Sequence, residues 1–161
     1  MDIQDLQKQG QAMVTPSELI DATSDKVKEI LEANFPDYID YDNGSFTVQR
    51  GSATVLIVVR PFTDKETIVE MVSNLVNGAT ITPELMNWLL RKTAELHFGG
   101  FGLLFDDTVS YSYALPAGNL DPAELKTAIE SVAIIADHYD DEIVAMAGGT
   151  LVSEGWNGDD A

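Results

Sequence analysis

The sequence predicts an α+β domain with the element order α-β-β-β-α-β-β-α, in which helices pack on a mainly antiparallel sheet to form a sandwich. Three observations predict this class. Three segments open with the same signal, a capping residue followed by proline, which is typical of helix starts. The segments between them carry apolar residues in alternating or continuous short runs, as strands do. The chain has 161 residues, which suits one domain with a buried core.

The three helices are predicted from their first turns and from apolar residues at spacings of three and four. In each start, a side-chain oxygen at the N-cap accepts a backbone N–H, and proline occupies the first helical position. The first helix is expected to end near Pro36, the second to cover 83–98 and the third to end at the glycine pair 148–149. The predicted N-caps are Thr15 in "TPSE", Thr82 in "TPEL" and Asp121 in "DPAE".

Two hairpins and one ambiguous segment supply the predicted strands. "SFTVQR" at 45–50 and "ATVLIVV" at 53–59 flank a Gly-Ser turn, and the second of these strands is apolar on both faces. We therefore expect it to be central and covered on both sides. Residues 66–76 fit either a strand or a helix, and the strand is favoured. "FGLLF" and "TVSYSYAL" around Asp106-Asp107 predict the second hairpin.

The predicted domain covers residues 15–149. Residues 1–14 form a polar N-terminal segment without the basic-then-apolar layout of a signal peptide. Residues 150–161 are expected to form a flexible acidic tail, because they show no periodicity.

The charge balance limits the classes of partner. Nine Lys and Arg residues face 27 Asp and Glu residues, a formal net charge of −18. Such a surface repels phosphate backbones and anionic lipid headgroups, so we expect neither nucleic acid nor membrane as a partner. The chain contains no cysteine, which excludes a thiolate nucleophile and a cysteine zinc site. A cytoplasmic protein is expected.

The glycine-rich segment "HFGGFGLLFDD" at 97–107 is not predicted to bind phosphate. Phosphate loops run from a strand into a helix N-terminus, where the backbone donors lie. Here the predicted order is helix, glycines and strand, so the glycines are expected to end the helix, and no cofactor is predicted.

Catalytic chemistry finds little support in the sequence. The chain has two histidines and no G-x-S-x-G motif, so no catalytic residue is assigned and the protein is not predicted to be an enzyme. In "ADHYDDEIV", His138 lies three and four residues before Asp141 and Glu142, a spacing that can hold a divalent metal if other ligands join. The alternative is a solvated helix face, so no metal site is assigned. A small-molecule or metal-binding sensor or enzyme using this region stays an alternative function.

Four residues are candidates for a partner or dimer surface. Ile134 and His138 lie on the polar side of the third predicted helix, where an isoleucine is either an ordinary exposed residue or a contact with another chain. Tyr111 and Tyr113 share one strand face and are expected to be core or interface aromatics.

The segments "TPELM", "FGGFGL" and "ADHYDDEIV" resemble the YbjN-type, type III secretion chaperone-like proteins, particularly their cyanobacterial-type members, and the resemblance covers roughly residues 16–149. It implies a compact α/β sandwich that pairs into a homodimer. It also implies that the protein holds an extended stretch of a partner polypeptide against hydrophobic patches, without catalytic residues. The expected function is thus a non-enzymatic protein-binding module, chaperone-like or regulatory, that recognises a polypeptide segment as a homodimer.

Overall fold

An antiparallel sheet of seven strands is the base of the fold in the computed structural model, which describes residues 14–152. Three helices accompany it: α1 (Ser17–Asn34), α2 (Pro83–Glu95) and α3 (Pro122–Ala147). The strands are β1 (Ile39–Asp40), β2 (Ser45–Arg50), β3 (Ala53–Pro61), β4 (Thr67–Asn77), β5 (Gly100–Leu103), β6 (Val109–Pro116) and β7 (Thr150–Leu151). The predicted α+β class and the order α-β-β-β-α-β-β-α are confirmed. The structure adds β1 and β7, two-residue strands that are too short to show a sequence pattern.

The strands lie in the order β1-β2-β3-β4-β6-β5, and all pairs are antiparallel. A bulge between Asn74 and Val76 in β4 lets Val76 pair with Val109 of β6 on one side and with Leu151 of β7 on the other. The ambiguous segment 66–76 is therefore a strand, as favoured, and it occupies the middle of the sheet.

One face of the sheet carries the core. Alternate residues of the central strands are fully buried, as the period of two requires, among them Val55, Ile57, Val69 and Met71. Apolar residues of α1 and α3 pack on this face, and the fully buried ones include Val27, Leu31, Leu125, Ile129 and Ile143. Burying each such side chain contributes about 1.5–3 kcal/mol to the free energy of unfolding.

Two of the three predicted N-caps are confirmed. The Thr82 hydroxyl accepts a hydrogen bond from Leu85 N at 3.2 Å, and the Asp121 carboxylate accepts one from Ala123 N at 2.8 Å. The prediction for Thr15 was wrong.

Thr15 lies just before α1, which begins at Ser17 after Pro16. Its hydroxyl donates to the carbonyl oxygen of Thr63 at 2.6 Å and accepts from Phe62 N at 3.1 Å. This tertiary contact ties the start of α1 to the β3–β4 turn and takes the hydroxyl away from the helix end.

Helix α2 ends at Glu95, three residues before the predicted end. The Tyr111 hydroxyl donates to the carbonyl oxygen of Phe98, and Phe101 N donates to the Thr93 hydroxyl at 2.9 Å, so tertiary hydrogen bonds hold residues 96–98 outside the helix. Gly99 has the left-handed conformation expected of a glycine here, with φ +86°, but it shapes the turn into β5 and is not the helix cap.

At the end of α3, the predicted glycine cap is confirmed, since Gly148 has φ +72°. The sheet continues past residue 149, the predicted domain boundary, because Thr150 pairs with Asn77 in β7. The predicted polar segment up to residue 13 and the predicted tail from residue 153 lie outside the described residues. Among residues 14–152, no helix is long and apolar enough to cross a membrane.

Candidate functional site

An apolar patch lies on the sheet face opposite the core, and the name open sheet face is used for it below. Leu56 on β3 is 37% exposed, and it pairs with Val72 of β4 and Thr47 of β2. The other apolar members are Val58, Ile68, Ile39 and Tyr41. No described element covers this patch. The prediction that β3 is covered on both sides was therefore wrong for the isolated chain, because both core helices pack on one face of the sheet.

One charged pair lies on the open sheet face. Arg60 Nε and Glu70 Oε2 are 2.6 Å apart on the neighbouring strands β3 and β4. Both side chains are partly exposed, so the pair adds little to stability. On the helix side at the β1 edge, the Asp42 N–H and the Lys28 ammonium group, 3.1 Å from Asp40 Oδ2, lower the pKa of Asp40. On the open sheet face, Arg60 is thus paired with Glu70, and the residues around Leu56 are apolar.

A second apolar surface lies on the helix side of the sheet. Strand β6 extends past the short β5, so that its inward residues lie open next to the first turns of α3. The cavity between them, called the hairpin-side groove below, has a volume of about 450 Å³. Its lining residues are Phe98, Tyr113, Leu115, Ala123, Glu124, Thr127 and Ala128.

Tyr113, a predicted surface residue, forms part of the groove wall. It is half-buried, and its ring packs edge-on against Phe98 with the centroids 5.9 Å apart. Aromatic pairs of this geometry are favourable and hold both rings in place. The groove therefore has a preformed wall.

Tyr111 does not lie on a surface, which corrects the sequence-based assignment. It is fully buried, and its ring packs edge-on against the ring of Phe101 with the centroids 4.9 Å apart. Its hydroxyl donates to the Phe98 carbonyl. Burial raises the pKa of Tyr111 to about 12. The alternation along β6 indicated an aromatic face correctly, but it could not show that Tyr111 is buried against Phe101 of β5 whereas Tyr113 lies beyond the end of β5.

Ile134 is 67% exposed and lies two turns of α3 beyond Thr127, on the same side of the helix. The exposed Leu90 and Met86 belong to α2, the neighbouring helix. The helix side thus carries isolated apolar residues around the groove, and the structure leaves Ile134 available for a contact with another chain.

His138 is exposed, and its ring packs edge-on against Tyr139 with centroids 4.6 Å apart. Asp141 and Glu142 are exposed as well, and residues 14–152 contain no group of three His, Asp or Glu side chains arranged to hold a metal ion. The described residues therefore bring no further ligand to the spacing that suggested a metal.

An aromatic cluster fixes α2 against α3 and β5. Trp88 lies 5.5 Å from Phe101 and 5.6 Å from Tyr139, measured between ring centroids. The Lys92 ammonium group lies over the Trp88 and Tyr139 rings at 5.7 and 5.4 Å, and its hydrogen bond to Glu95 raises the pKa of Lys92. These contacts fix α2 on the helix side of the sheet, against α3 and β5.

The sequence reasoning missed the open sheet face and Phe98. A signal for the open sheet face existed, because the apolar Leu56 and Val58 alternate with the inward-facing apolar residues of the segment 53–59. Phe98 follows a histidine at a predicted helix end, and nothing local distinguishes it from a buried residue.

Fold and surfaces together define a small α+β binding domain with two open apolar surfaces. The chain belongs to the family described as "T3SS (YopN, CesT) and YbjN peptide-binding chaperone 1", whose model matches residues 18–155. The resemblance stated from the sequence is thereby confirmed.

Two solved structures have the same fold. A chain in the structure of the HopA1–SchA chaperone–effector complex is 12% identical, with a TM-score of 0.57, and the match covers 80% of this chain and 98% of that one. A chain in the crystal structure of the ExsC–ExsE complex is also 12% identical, with a TM-score of 0.57, covering 74% and 95%. At this identity the likeness establishes the fold. No curated protein sequence matches the chain.

Proposed function

We propose that this protein is a non-enzymatic, chaperone-like or regulatory binding module that holds a polypeptide segment against its open sheet face and works as a homodimer. The observation that carries the proposal is the uncovered apolar patch around Leu56. Membership of a peptide-binding chaperone family and the likeness to chains of chaperone–effector complexes support it.

The chemistry of the patch favours a polypeptide as its occupant. Leu56 and Val72 are directly opposed across β3 and β4, and Val58 and Ile68 extend the patch along the same strands. A contiguous exposed apolar patch on a small protein marks an interaction site. The surface is a flat face of a sheet and not a closed cavity, so it fits an extended or helical segment that lays an apolar stripe across several strands.

The net charge of the protein favours basic residues on either side of the apolar stripe in the bound segment. With a formal charge of −18, the protein attracts basic residues over a distance set by the ionic strength. A segment with apolar residues between Lys or Arg residues is therefore favoured, and its association rate falls as salt increases.

Self-association is assigned to the helix side, where Tyr113 lines the groove and Ile134 and His138 are exposed. This leaves the open sheet face of each copy free for the polypeptide. Sedimentation of the full chain across micromolar concentrations tests the homodimer, and the mass of a single monomer throughout would remove it.

The polypeptide-binding proposal is tested by selecting displayed random peptides on the immobilised protein and measuring the enriched peptides by fluorescence anisotropy. We expect apolar stripes with basic flanks, and we expect Leu56→Asp to weaken binding about tenfold or more, because a carboxylate would be buried without a partner. Ile134→Asp places the same charge on the helix side, and it is expected to leave peptide binding unchanged, because the open sheet face of each copy is free whether or not two copies associate.

Two results would contradict the proposal. One is the absence of any enriched peptide. The other is the reverse pattern, in which Ile134→Asp abolishes binding and Leu56→Asp leaves it unchanged, since that pattern would place the polypeptide on the helix side. Circular dichroism of both variants shows that each has kept its fold.

A further inference from the structure

The open sheet face continues to the β3–β4 turn and ends there at Phe62. Phe62 is 56% exposed, and its N–H donates to Glu66 O at 3.2 Å, so the β3–β4 ladder runs one pair beyond the last residue of β3. By the alternation of a strand, Phe62 lies on the same face as Leu56 and Val58. At 3.3 Å per residue, the face extends about 20 Å from Leu56 to Phe62. One end of the open sheet face is thus at this turn.

The chain enters the described part of the domain beside the same turn. The Thr15 hydroxyl accepts from Phe62 N at 3.1 Å and donates to Thr63 O at 2.6 Å. Thr15 is buried, whereas Val14 before it is 83% exposed. Residues 1–13 are therefore attached to the domain at the Phe62 end of the open sheet face.

The sequence of residues 1–13 carries an apolar stripe at helical spacing. In "MDIQDLQKQGQAM", Ile3, Leu6 and Met13 are separated by three and seven residues, which puts all three on one side of a helix. In a strand, Leu6 would face away from the other two. A helix over residues 1–13 is about 20 Å long at 1.5 Å per residue, which matches the length of the open sheet face from Phe62 to Leu56. These residues thus have both the chemistry and the reach to cover the face.

We propose that residues 1–13 pack as an amphipathic helix on the open sheet face of their own chain, and that a bound polypeptide has to displace them. This inference rests on the proposed function, because it names the regulation of that same site. A helix of this length is marginal in water on its own, so it forms on the apolar face and melts when it leaves. The open sheet face is then covered in the free protein and becomes accessible when residues 1–13 are displaced.

Charge and position favour residues 1–13 over the other end of the chain as the occupant. Residues 1–13 contain two Asp and one Lys, whereas residues 153–161 contain one Glu, two Asp and no basic residue. The formal net charge of −18 therefore repels residues 153–161 more strongly. These residues also follow β7, which pairs with Val76 and Asn77 at the end of β4 that is far from the β3–β4 turn.

An occupant from the same chain sets a threshold for binding. A segment attached beside its site competes at an effective concentration on the order of millimolar. A free polypeptide therefore binds only in proportion to the fraction of chains whose face is open. Packing of the apolar stripe depends little on salt, whereas attraction of a basic polypeptide weakens as salt increases. Higher salt thus favours the return of residues 1–13 to the face.

The test is paramagnetic relaxation, measured by NMR on the full chain. The chain contains no cysteine, so Gln4→Cys provides a single site for a nitroxide label, on the side of the predicted helix away from its apolar stripe. We expect the label to broaden the amide signals of Leu56 and Val72 strongly, because both lie on the open sheet face. The amide signal of Ile134 is the reference, since that residue lies on the helix side and is expected to be broadened weakly.

Two substitutions in the labelled chain separate packing from simple proximity. Leu6→Asp puts a charge in the apolar stripe and is expected to reduce the broadening at Leu56 to the level at Ile134, because a carboxylate would be buried without a partner. Gln11→Asp is the matched control, because it adds the same charge outside the stripe, and it is expected to leave the broadening unchanged.

Binding of the peptides selected on the immobilised protein gives a second readout. The Kd of Leu6→Asp for these peptides is expected to be about fivefold to tenfold lower than that of the wild-type chain, because a larger fraction of chains has an open face. Gln11→Asp is expected to keep the wild-type Kd. A saturating concentration of a selected peptide is expected to remove the broadening at Leu56 in the labelled chain.

The outcomes separate this inference from the proposed function. Equally weak broadening at Leu56 and Ile134, or strong broadening that Leu6→Asp leaves unchanged, overturns the packing of residues 1–13, and peptide binding that Leu56→Asp weakens then leaves the proposed function standing. Broadening that persists with saturating peptide overturns the displacement. Broadening of an unlabelled chain mixed with labelled chain assigns the occupant to a second copy and overturns the contact within one chain. If no peptide binds but Leu6→Asp still abolishes the broadening, the polypeptide-binding function fails and the packing of residues 1–13 is supported.

Discussion

The hydroxyl of Tyr111 offers the most direct test of how the groove wall is built. Replacing Tyr111 with phenylalanine keeps the buried ring and removes only the hydrogen bond to the Phe98 carbonyl. The bond is only partly buried, so its loss is expected to cost about 0.5–1.5 kcal/mol. For a chain of this size, about 2–4 °C in Tm corresponds to each kcal/mol, so we expect Tm to fall by about 2–4 °C for a loss near 1 kcal/mol.

The assays are thermal unfolding for Tm and urea unfolding for the free energy, both followed by circular dichroism, with Tyr113→Phe as the control, because Tyr113 is half-buried on the same face of β6. The control is expected to change the free energy of unfolding by less than about 0.5 kcal/mol. A second readout is the pH dependence. The folded-state pKa of Tyr111 is raised from 10.0 to about 12, so its contribution is complete below pH 10 and is lost as the pH rises toward 12.

The wild-type protein should therefore lose stability more steeply than Tyr111→Phe between pH 10 and 12. Equal stability of the variant and the wild-type protein at neutral pH would refute the reasoning, because it would mean that the hydroxyl does not hold the Phe98 carbonyl. Parallel pH profiles above pH 10 would refute the burial argument on its own.

Two further predictions concern turns. Gly99→Ala should cost more than about 2 kcal/mol, because a Cβ at φ +86° is strained and would overlap the carbonyl oxygen of Ser112; wild-type stability in urea unfolding would contradict this. Asp137→Asn removes a carboxylate that accepts from Ser52 N at 2.7 Å and from its hydroxyl at 2.5 Å, bonds that lower the pKa of Asp137. We expect the free energy of unfolding to fall by about 0.5–1 kcal/mol at pH 6 and by less at pH 3. A depressed folded-state pKa gives stability that is present above about pH 4 and is lost below it. A loss independent of pH would contradict a role for the carboxylate charge.

The parts of the fold that depend on local physics could be predicted from the sequence. Thr82 and Asp121 cap their helices because the donors lie two or three residues away, within reach of any helix start. Thr15 has the same local pattern but bonds to Thr63, 48 residues along the chain, and no local rule contains that partner. Strand β7 also depends on a distant partner, because Thr150 pairs with Asn77.

Only part of the candidate site could be predicted from the sequence, because the rest depends on how distant elements pack. The apolar pattern of β3 indicated cover on both faces, but a pattern cannot tell a helix of the same chain from another molecule. Tyr113 and Ile134 lie where a partner could reach them, and their role in binding stays a prediction. Tyr111 is buried because it pairs with Phe101 of β5, and Tyr113 lies beyond the last β5 pair, which is a property of the packed structure.

The pairing of β7 with β4 has a consequence for how the protein is made. Leu151 is buried beside Val76, so this end of β4 stays without its partner until residue 151 has been synthesised. At roughly 5–20 residues per second, the stretch from the end of β6 to Leu151 takes roughly 2–7 s to synthesise. During that interval the nascent sheet lacks α3, and apolar residues on both of its faces are exposed to water. The protein proposed to hold other polypeptides thus passes through seconds of the same exposure during its own synthesis.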